Sequence, residues 1–355
     1  METRRRKRRL VLSMAMAVLL AACGGGGGGD TAVEDDPVID DDTASEPGER
    51  SVQVLSADKT RIFGTLTVPP AAANASVPGA LILPSAGPGD RNGTLSPTGV
   101  PSGLGQALAG QLTDAGLVTY RYDRRGTGES KLEDGTALTL QGQVDDAKAA
   151  LDVMAQRKET QGKDLAVVGY EEGGLVALRV AASDPRVKRL VLVSTGRSLV
   201  DVQAARLAAT NGPESADAFR TTVANLIATG TLPPLSDMRA ELRPLLPPEN
   251  AAYLAELYRF DPVAEAAKVR ARALLVVPAN AAPYDAAGLA AALPGAQVMT
   301  AAGGPNLTIE DTTPQDDLSD PMNPRHDHGA AAPVAPVERD AAAFDRITGF
   351  LTSAP

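Results

Sequence analysis

The chain has 355 residues, a formal net charge of −10, 43% hydrophobic residues and a single cysteine. One cysteine excludes an intrachain disulfide and any metal or redox site that needs several cysteines. The acidic balance and the lack of tryptophan argue against nucleic acid as a partner, because such binding relies on basic surfaces and stacking aromatic rings.

The first 22 residues have the pattern of an export signal. The basic segment METRRRKRR precedes an apolar run of 13 residues, LVLSMAMAVLLAA, which is too short to cross a hydrocarbon core of about 30 Å as a helix. The run leads into LAAC, which resembles the lipobox of bacterial lipoproteins. The resemblance implies that Cys23 becomes the lipidated first residue of the mature protein, with a lipid bilayer as partner through acylated Cys23.

The same resemblance implies a location in the bacterial cell envelope, outside the cytoplasm. Glycine at position 24, with no aspartate after the cysteine, favours the outer membrane over the inner one. Six glycines and then an acidic stretch without aromatic residues follow Cys23, and neither can bury enough apolar surface to fold. Residues 23–50 are therefore predicted to be a flexible tether, and residues 51–355 the folded part.

Short apolar runs alternate with helix-compatible segments from residue 51 onward. The first two runs flank ADKTR and predict a β-hairpin. The later runs are nearly continuous in apolar and β-branched residues, which is typical of parallel strands buried on both faces; they are GALILPS, LVTYRYD, DLAVVGY, VKRLVLVS and ARALLVVP. The predicted class is α/β, with a mainly parallel, doubly wound sheet.

The alternation of strand-like and helix-compatible segments stops between residues 194 and 272. This interval is rich in alanine and leucine and contains LPPLSD and RPLLPPEN, so it predicts several helices rather than strands. We interpret it as a helical cap inserted at about residues 197–265, although a long helical excursion without a cap function has the same pattern. Near the C-terminus, apolar residues at helical spacing predict a closing helix.

One stretch has the pattern of a strand, a tight turn and a helix: DLAVVGYEEGGLVAL, Asp164 to Leu178. Gly169 and Gly173 flank its tip with the spacing of G-x-S-x-G, in which the middle residue stands on a strained elbow and presents its side chain to a pocket. Here the middle residue is Glu171. Tyr170 and Glu172 are its neighbours and are candidate pocket residues.

Several separated motifs support a family resemblance. In chain order they are SAGPGDRNG, YRYDRRGTGES, the paired aspartates at 145 and 146, GYEEGG, FDP at 260 to 262, and ALLVVP. Together they resemble the α/β-hydrolase family, in particular a bacterial esterase branch with a GSGP-x-DRDG loop after its third strand. The resemblance covers most of residues 51–355 and implies the α/β-hydrolase fold. It also implies an oxyanion-type loop at the glycine-rich segment, with Ala86 and Gly87 as candidates.

The resemblance implies a catalytic triad of serine, aspartate and histidine. Aligned on the elbow, the serine position is occupied by Glu171. The acid position after the penultimate strand is Ala282, with Asp285 the nearest carboxylate, and the histidine position after the last strand is Asn306. Because asparagine cannot accept a proton near neutral pH, general base catalysis fails at that position. All three triad positions are therefore predicted to be degenerate.

The resulting hypothesis is a non-catalytic hydrolase-like protein that binds a small ligand or a protein partner through the former active-site pocket. No cofactor is expected, and no metal, because two nearby histidines without a further ligand are a weak signal. One alternative is a carboxylic-ester hydrolase in which His326 or His328 serves as a relocated base, or Glu171 as an unconventional nucleophile. Another is a structural envelope protein whose pocket is filled.

Overall fold

The computed structural model describes residues 46–85, 90–93, 103–133, 135–279, 282–309 and 338–354. These residues belong to one structural unit. Five residues singled out in the sequence lie outside the described part: Cys23, Ala86, Gly87, His326 and His328. The predicted signal and most of the predicted tether lie outside it as well.

Eight strands form one sheet in the order β1-β2-β4-β3-β5-β6-β7-β8. Their bounds are β1 Gly48–Leu55, β2 Arg61–Val68, β3 Gly79–Leu83, β4 Val118–Tyr122, β5 Leu165–Tyr170, β6 Val187–Val193, β7 Arg272–Pro278 and β8 Gln297–Ala301. The predicted hairpin is confirmed, since β1 and β2 pair in antiparallel register. β2 is also antiparallel to β4, and the pairs from β4 to β8 are parallel. β1 begins three residues before the predicted start of the folded part.

The central strands are buried along their whole length. Every residue of β3, β4 and β5 is buried, which explains why their sequences are nearly continuous in apolar residues. The edge strands differ, because β8 alternates between partly buried and exposed positions before its last residue. β3 and β5 are neighbours near the middle of the sheet. The glycine-rich motif and the elbow follow the carboxyl ends of these two strands.

The described residues form nine α-helices. Their bounds are α1 Leu104–Asp114, α2 Leu140–Gln156, α3 Glu172–Ser183, α4 Leu199–Asn211, α5 Pro213–Thr229, α6 Ala251–Arg259, α7 Pro262–Ala266, α8 Ala286–Ala292 and α9 Ala341–Thr352. α2, α3 and α8 contribute to one hydrophobic cluster, and α1 and α9 to a second cluster across the sheet. The doubly wound arrangement is thereby confirmed. None of the described helices is long and apolar enough to cross a membrane.

Four helices, α4 to α7, lie in the chain between β6 and β7 and span residues 199–266, close to the predicted insertion. We call this segment the cap. Its helices share a core in which Phe219 of α5 meets Tyr258 of α6 edge to face, with ring centroids 5.6 Å apart. Phe219 and Leu226 are fully buried, so the cap has an apolar interior of its own that continues into the larger cluster.

Candidate ligand-binding site

The turn after β5 has the geometry of a strained elbow. β5 ends at Tyr170 and α3 begins at Glu172, so Glu171 alone makes the turn, with φ 51° and ψ −118°. A positive φ is uncommon for a residue other than glycine and persists only where the surroundings hold it. The backbone N–H of Glu171 donates to the carbonyl of Val193 at 2.9 Å, which fixes the turn against β6.

Three positions around the elbow require glycine, because neighbouring atoms lie too close to leave room for a side chain. A Cβ at Gly169 would lie 2.5 Å from the carbonyl oxygen of Gly173, and one at Gly173 would lie 2.4 Å from that of Pro84. A Cβ at Gly174 would lie 1.9 Å from the hydroxyl of Thr195. No larger residue fits without movement of backbone or buried side chain, so the glycine spacing read from the sequence has a direct steric cause.

The carboxylate of Glu171 is held at both oxygens. Oε2 accepts from the Ser85 hydroxyl at 2.9 Å, and Oε1 accepts from Nη2 of Arg206 at 2.8 Å. Ser85 follows β3 in the body of the domain, whereas Arg206 belongs to α4 in the cap. The side chain of Glu171 is 27% exposed. The residue at the nucleophile position therefore joins the cap to the body.

Arg206 is itself fixed by a second partner. Its Nη2 also donates to the Tyr284 hydroxyl at 2.7 Å, and its guanidinium lies 5.9 Å from the centre of the Tyr284 ring. Burial alone would lower the pKa of Arg206, but the charge and hydrogen bonds of Glu171, with the hydrogen bond to Tyr284, raise it above its ordinary value. Arg206 thus remains a cation and keeps its orientation towards the elbow.

Glu172, the next residue, makes a separate contact with the cap. It is 7% exposed, and its Oε1 accepts from the hydroxyl of Tyr253 on α6. Arg124 lies 3.6 Å from the same oxygen, and Gln143 donates to the Tyr253 hydroxyl at 2.9 Å. Burial raises the pKa of Glu172 despite the opposing effects of Arg124 and Tyr253. Two adjacent glutamates consequently hold two different cap helices.

A cavity of about 360 Å³ lies between the elbow and the cap. Its polar side chains include Ser85, Arg124, Glu171, Glu172 and Arg206. Its apolar side chains come mainly from the cap: Leu199, Leu245, Leu254, Leu257 and Tyr258. Pockets that bind small molecules have this size and this combination of apolar walls with a few polar groups. Within the described part of the chain, the elbow, Ser85 after β3 and the cap therefore meet at one concave site.

The comparisons with known proteins agree with this architecture. A family model described as serine aminopeptidase, S33, matches residues 99–272, just under half of the chain. A hypothetical protein from Pseudomonas aeruginosa has a solved structure with a TM-score of 0.55 and 15% identity, over 88% of this chain and 97% of its own. The domain has the α/β-hydrolase fold. That conclusion confirms the predicted fold class.

Other solved structures are similar to this hydrolase domain at low sequence identity. DcsB, determined in complex with its substrate analogue, is 15% identical, with a TM-score of 0.53 over 86% of this chain and 99% of its own. A proline iminopeptidase from Mycobacterium smegmatis is 19% identical, with a TM-score of 0.47 over 71% of this chain and 89% of its own. No curated protein matches the chain.

The residues predicted to stand at the acid and histidine positions follow β7 and β8. Ala282 begins a short 3₁₀ helix that ends at Tyr284, the residue that contacts Arg206. Asp285, the nearest carboxylate in sequence, caps α8 and pairs with Arg197 at 2.9 Å. Asn306 is half-buried in the turn after β8 and does not line the cavity as described. The segment after β7 is therefore linked to the elbow by Arg206, which donates both to the Tyr284 hydroxyl and to Glu171.

Tyr170 does not reach the cavity in the described structure. It is 3% exposed and packs in the cluster formed with α1 and α9, on the face of the sheet away from α3. Successive side chains of a strand point to opposite faces, and Tyr170 shares its face with Val168 and Ala166. Burial raises the pKa of Tyr170 to about 12. Of the two neighbours of Glu171 predicted to form the pocket, only Glu172 lines it.

The other motifs that carry the resemblance hold loops in place. The Asp123 carboxylate accepts from the Arg91 backbone N–H at 2.8 Å and from Arg91 Nη2 at 2.6 Å. Arg125 is 1% exposed and pairs with Asp146 at 2.6 Å and with Asp58 at 2.8 Å. Buried pairs of this kind fix geometry because neither charge can be left without its partner. These motifs therefore position the loops around the elbow.

Metal chemistry has no visible basis in the described residues. Among them, no group of three or more histidine, cysteine, aspartate or glutamate side chains is arranged to hold a metal ion. The carboxylates at the elbow have arginine, serine and tyrosine as their neighbours.

Proposed function

We propose that this protein is a lipid-anchored component of the bacterial cell envelope whose α/β-hydrolase domain binds a small ligand without hydrolysing it. The observation that carries the proposal is the state of Glu171. A carboxylate replaces the nucleophilic hydroxyl, and both of its oxygens accept hydrogen bonds, one from Ser85 and one from Arg206. The elbow geometry is retained, while its reactive group serves as an attachment point for the cap.

The chemistry of the triad positions supports the absence of a serine-type mechanism. That mechanism needs a hydroxyl, a base that takes its proton and an acid that orients the base. The aligned positions hold Glu171, Asn306 and Ala282, none of which can perform its assigned step. A carboxylate nucleophile would still need a base to activate water for hydrolysis of the ester intermediate, and the Asn306 position does not supply one.

The cavity supports ligand binding over a purely structural role. A protein that used the fold only as a scaffold would need no open space beneath the cap, whereas this domain has about 360 Å³ there. The walls are apolar on the cap side and polar at the elbow. A small amphipathic molecule would match these walls. Its polar end would lie near Ser85 and Arg206, and its apolar end would lie against Leu254 and Leu257.

The envelope location rests on the N-terminal sequence. The basic segment, the short apolar run and the LAAC sequence before Cys23 support export and acylation. The glycine-rich and acidic segment between residue 23 and β1 supports a tethered domain. We therefore place the ligand-binding domain outside the cytoplasm, attached to the outer membrane by lipid at Cys23.

The decisive experiment tests catalysis and binding separately on the full chain. It is treated with a fluorophosphonate probe and with short acyl esters of p-nitrophenol, with Glu171→Ala as the matched control. We expect no saturable labelling and turnover equal to that of Glu171→Ala. Turnover well above that control, lost in His326→Ala or His328→Ala, would instead establish the alternative of an ester hydrolase with a relocated base.

Binding is tested by thermal denaturation in the presence of a panel of small amphipathic compounds. The variant Leu257→Trp fills the cavity wall, and Leu235→Trp places the same ring at a residue that is 45% exposed and outside the cavity. We expect at least one compound to raise the melting temperature of the wild type and of Leu235→Trp, with the shift lost in Leu257→Trp. A panel without any stabilising compound favours the structural role.

A further inference from the structure

A second cavity, of about 270 Å³, lies at the end of the parallel strands that is opposite to the elbow. The end of α3 and the amino-terminal ends of β6 and β7 form it. Because the elbow stands at the carboxyl ends of the same parallel strands, about one strand length, roughly 20 Å, separates the two sites. We call this cavity the basic groove. Its lining includes Lys188, Lys268, Arg270 and Arg272.

These cations are brought together by the sheet, since β6 and β7 are adjacent parallel strands. Lys188 belongs to β6, and Arg272 begins β7. The connection from α7 supplies Lys268 and Arg270. Four cations and one carboxylate line this surface, whereas the chain as a whole has a net charge of −10. The groove is thus a local exception to the overall charge.

The nearby carboxylates already have partners. Asp184 lines the groove but accepts from Nε and Nη2 of Arg186, at 2.9 and 2.6 Å. Glu265 pairs with Lys268 at 2.9 Å. Among the described residues, no salt bridge involves Lys188, Arg270 or Arg272. Lys188 and Arg272 donate to backbone carbonyls, and Arg272 also lies over the Phe350 ring. Three cationic charges in the groove therefore remain without a counter-charge.

One of the three is held in a fixed orientation. Nη1 of Arg272 donates to the carbonyl of Ala354 at 2.9 Å, and its guanidinium lies 5.7 Å from the ring centre of Phe350. An arginine oriented in this way loses little side-chain entropy when an anion binds. Its other N–H groups, with Arg270 and Lys188, can donate charge-assisted hydrogen bonds.

We propose that the basic groove is a second binding site, which takes a ligand bearing a phosphate group. A phosphomonoester carries nearly two negative charges near neutral pH and three strong acceptor oxygens, and three unpaired cations match both features. A carboxylate would leave more of this charge unbalanced. The phosphate belongs either to a free phosphorylated compound or to a phospholipid headgroup, and the two sources are separated by experiment.

The first arm of the test measures inorganic phosphate binding to the full chain by isothermal calorimetry at low ionic strength, where exposed charges are least screened. We expect saturable binding that weakens about tenfold in Arg270→Gln, as is typical when one charge-assisted hydrogen bond is lost, and disappears in Lys188→Gln/Arg270→Gln. Arg220→Gln on α5, which removes an exposed arginine far from the groove in sequence, should bind phosphate like the wild type. Equal melting temperatures verify that the variants are folded.

The second arm compares vesicles of phosphatidylglycerol and of phosphatidylcholine. Any membrane binding by the N-terminal segment is common to wild type and variants, so only the difference between them reports on the groove. Phosphate binding that depends on Lys188 and Arg270, without a preference for phosphatidylglycerol, supports a free phosphorylated ligand. A preference for phosphatidylglycerol that only the double variant loses supports a headgroup. Binding of neither, or binding unchanged in the double variant, overturns the proposal.

Discussion

Glu171 and Arg206 form a salt bridge of 2.8 Å that joins the elbow to helix α4 of the cap. The glutamate stands at the position that the family resemblance predicts for the nucleophile, and the arginine comes from the cap. The pair is partly exposed, with side chains 27% and 40% accessible. Its importance therefore lies in the position of the cap more than in global stability.

Removing the cation should loosen the cap while leaving the domain folded. We expect Arg206→Gln to lower the free energy of unfolding by at most about 1 kcal/mol, since exposed ion pairs contribute little. Amide hydrogen exchange in α4 should nevertheless become faster, because Oε1 of Glu171 and the Tyr284 hydroxyl lose the guanidinium that donates to both. Arg61→Gln, a substitution on β2 outside the cap, is the control. Unchanged exchange in α4 would show that apolar packing alone holds the cap.

Restoring a serine at the elbow should not restore catalysis. Glu171→Ser supplies the hydroxyl at a retained turn, but Asn306 cannot take its proton and Ala282 cannot orient a base. We therefore expect ester hydrolysis by Glu171→Ser to equal that of Glu171→Ala, measured with p-nitrophenyl butyrate. Activity in the serine variant alone would mean that another residue acts as a base at this site.

The buried Glu172 predicts a particular pH dependence of stability. Because burial raises its pKa in the folded state, the folded protein holds this proton more tightly than the unfolded chain does. Its contribution is thus fully present below the unfolded pKa and is lost as pH rises through the folded one. Urea unfolding from pH 4 to pH 8 should show this loss in the wild type. The loss should be smaller in Glu172→Gln, and identical profiles would contradict the assignment.

Two glycine substitutions should have opposite effects on stability. Gly174→Ala places a methyl group 1.9 Å from the Thr195 hydroxyl oxygen, and such overpacking costs about 1–3 kcal/mol. Gly110→Ala, inside α1, meets no atom within 4 Å and should stabilise the helix by up to about 1 kcal/mol. Urea unfolding of both variants provides the measurement. Similar stability for the two would contradict the close approach at the elbow.

The sequence predicted what depends on local pattern. The hairpin, the buried strands and the elbow all follow from apolar runs and from glycine spacing, because sterics act between residues that are close along the chain. Arg206 and Tyr253 were not predicted, since their contacts with Glu171 and Glu172 cross 35 and 81 positions and follow from how the cap folds over the sheet. Ser85 is the first residue of the motif SAGPGDRNG, so its place in that motif was the one available signal.

The basic groove was missed for a related reason. Lys188 and the alternating segment KVRAR, residues 268–272, are about 80 positions apart in the chain. Each is unremarkable alone, so the sequence gives no indication that they form one basic site. They meet because β6 and β7 are neighbours in the sheet, and that adjacency depends on the crossover formed by the whole cap.

The attachment of two cap helices to consecutive glutamates has an evolutionary consequence. On the proposed function, a single reversion of Glu171 to serine removes the partner of Arg206 and gains no activity in return, because the other triad positions stay changed. A variant with only one triad residue restored would thus have a looser cap and no new activity for selection to favour. On that proposal, the Glu171–Arg206 salt bridge makes a return to catalysis by single substitutions unfavourable.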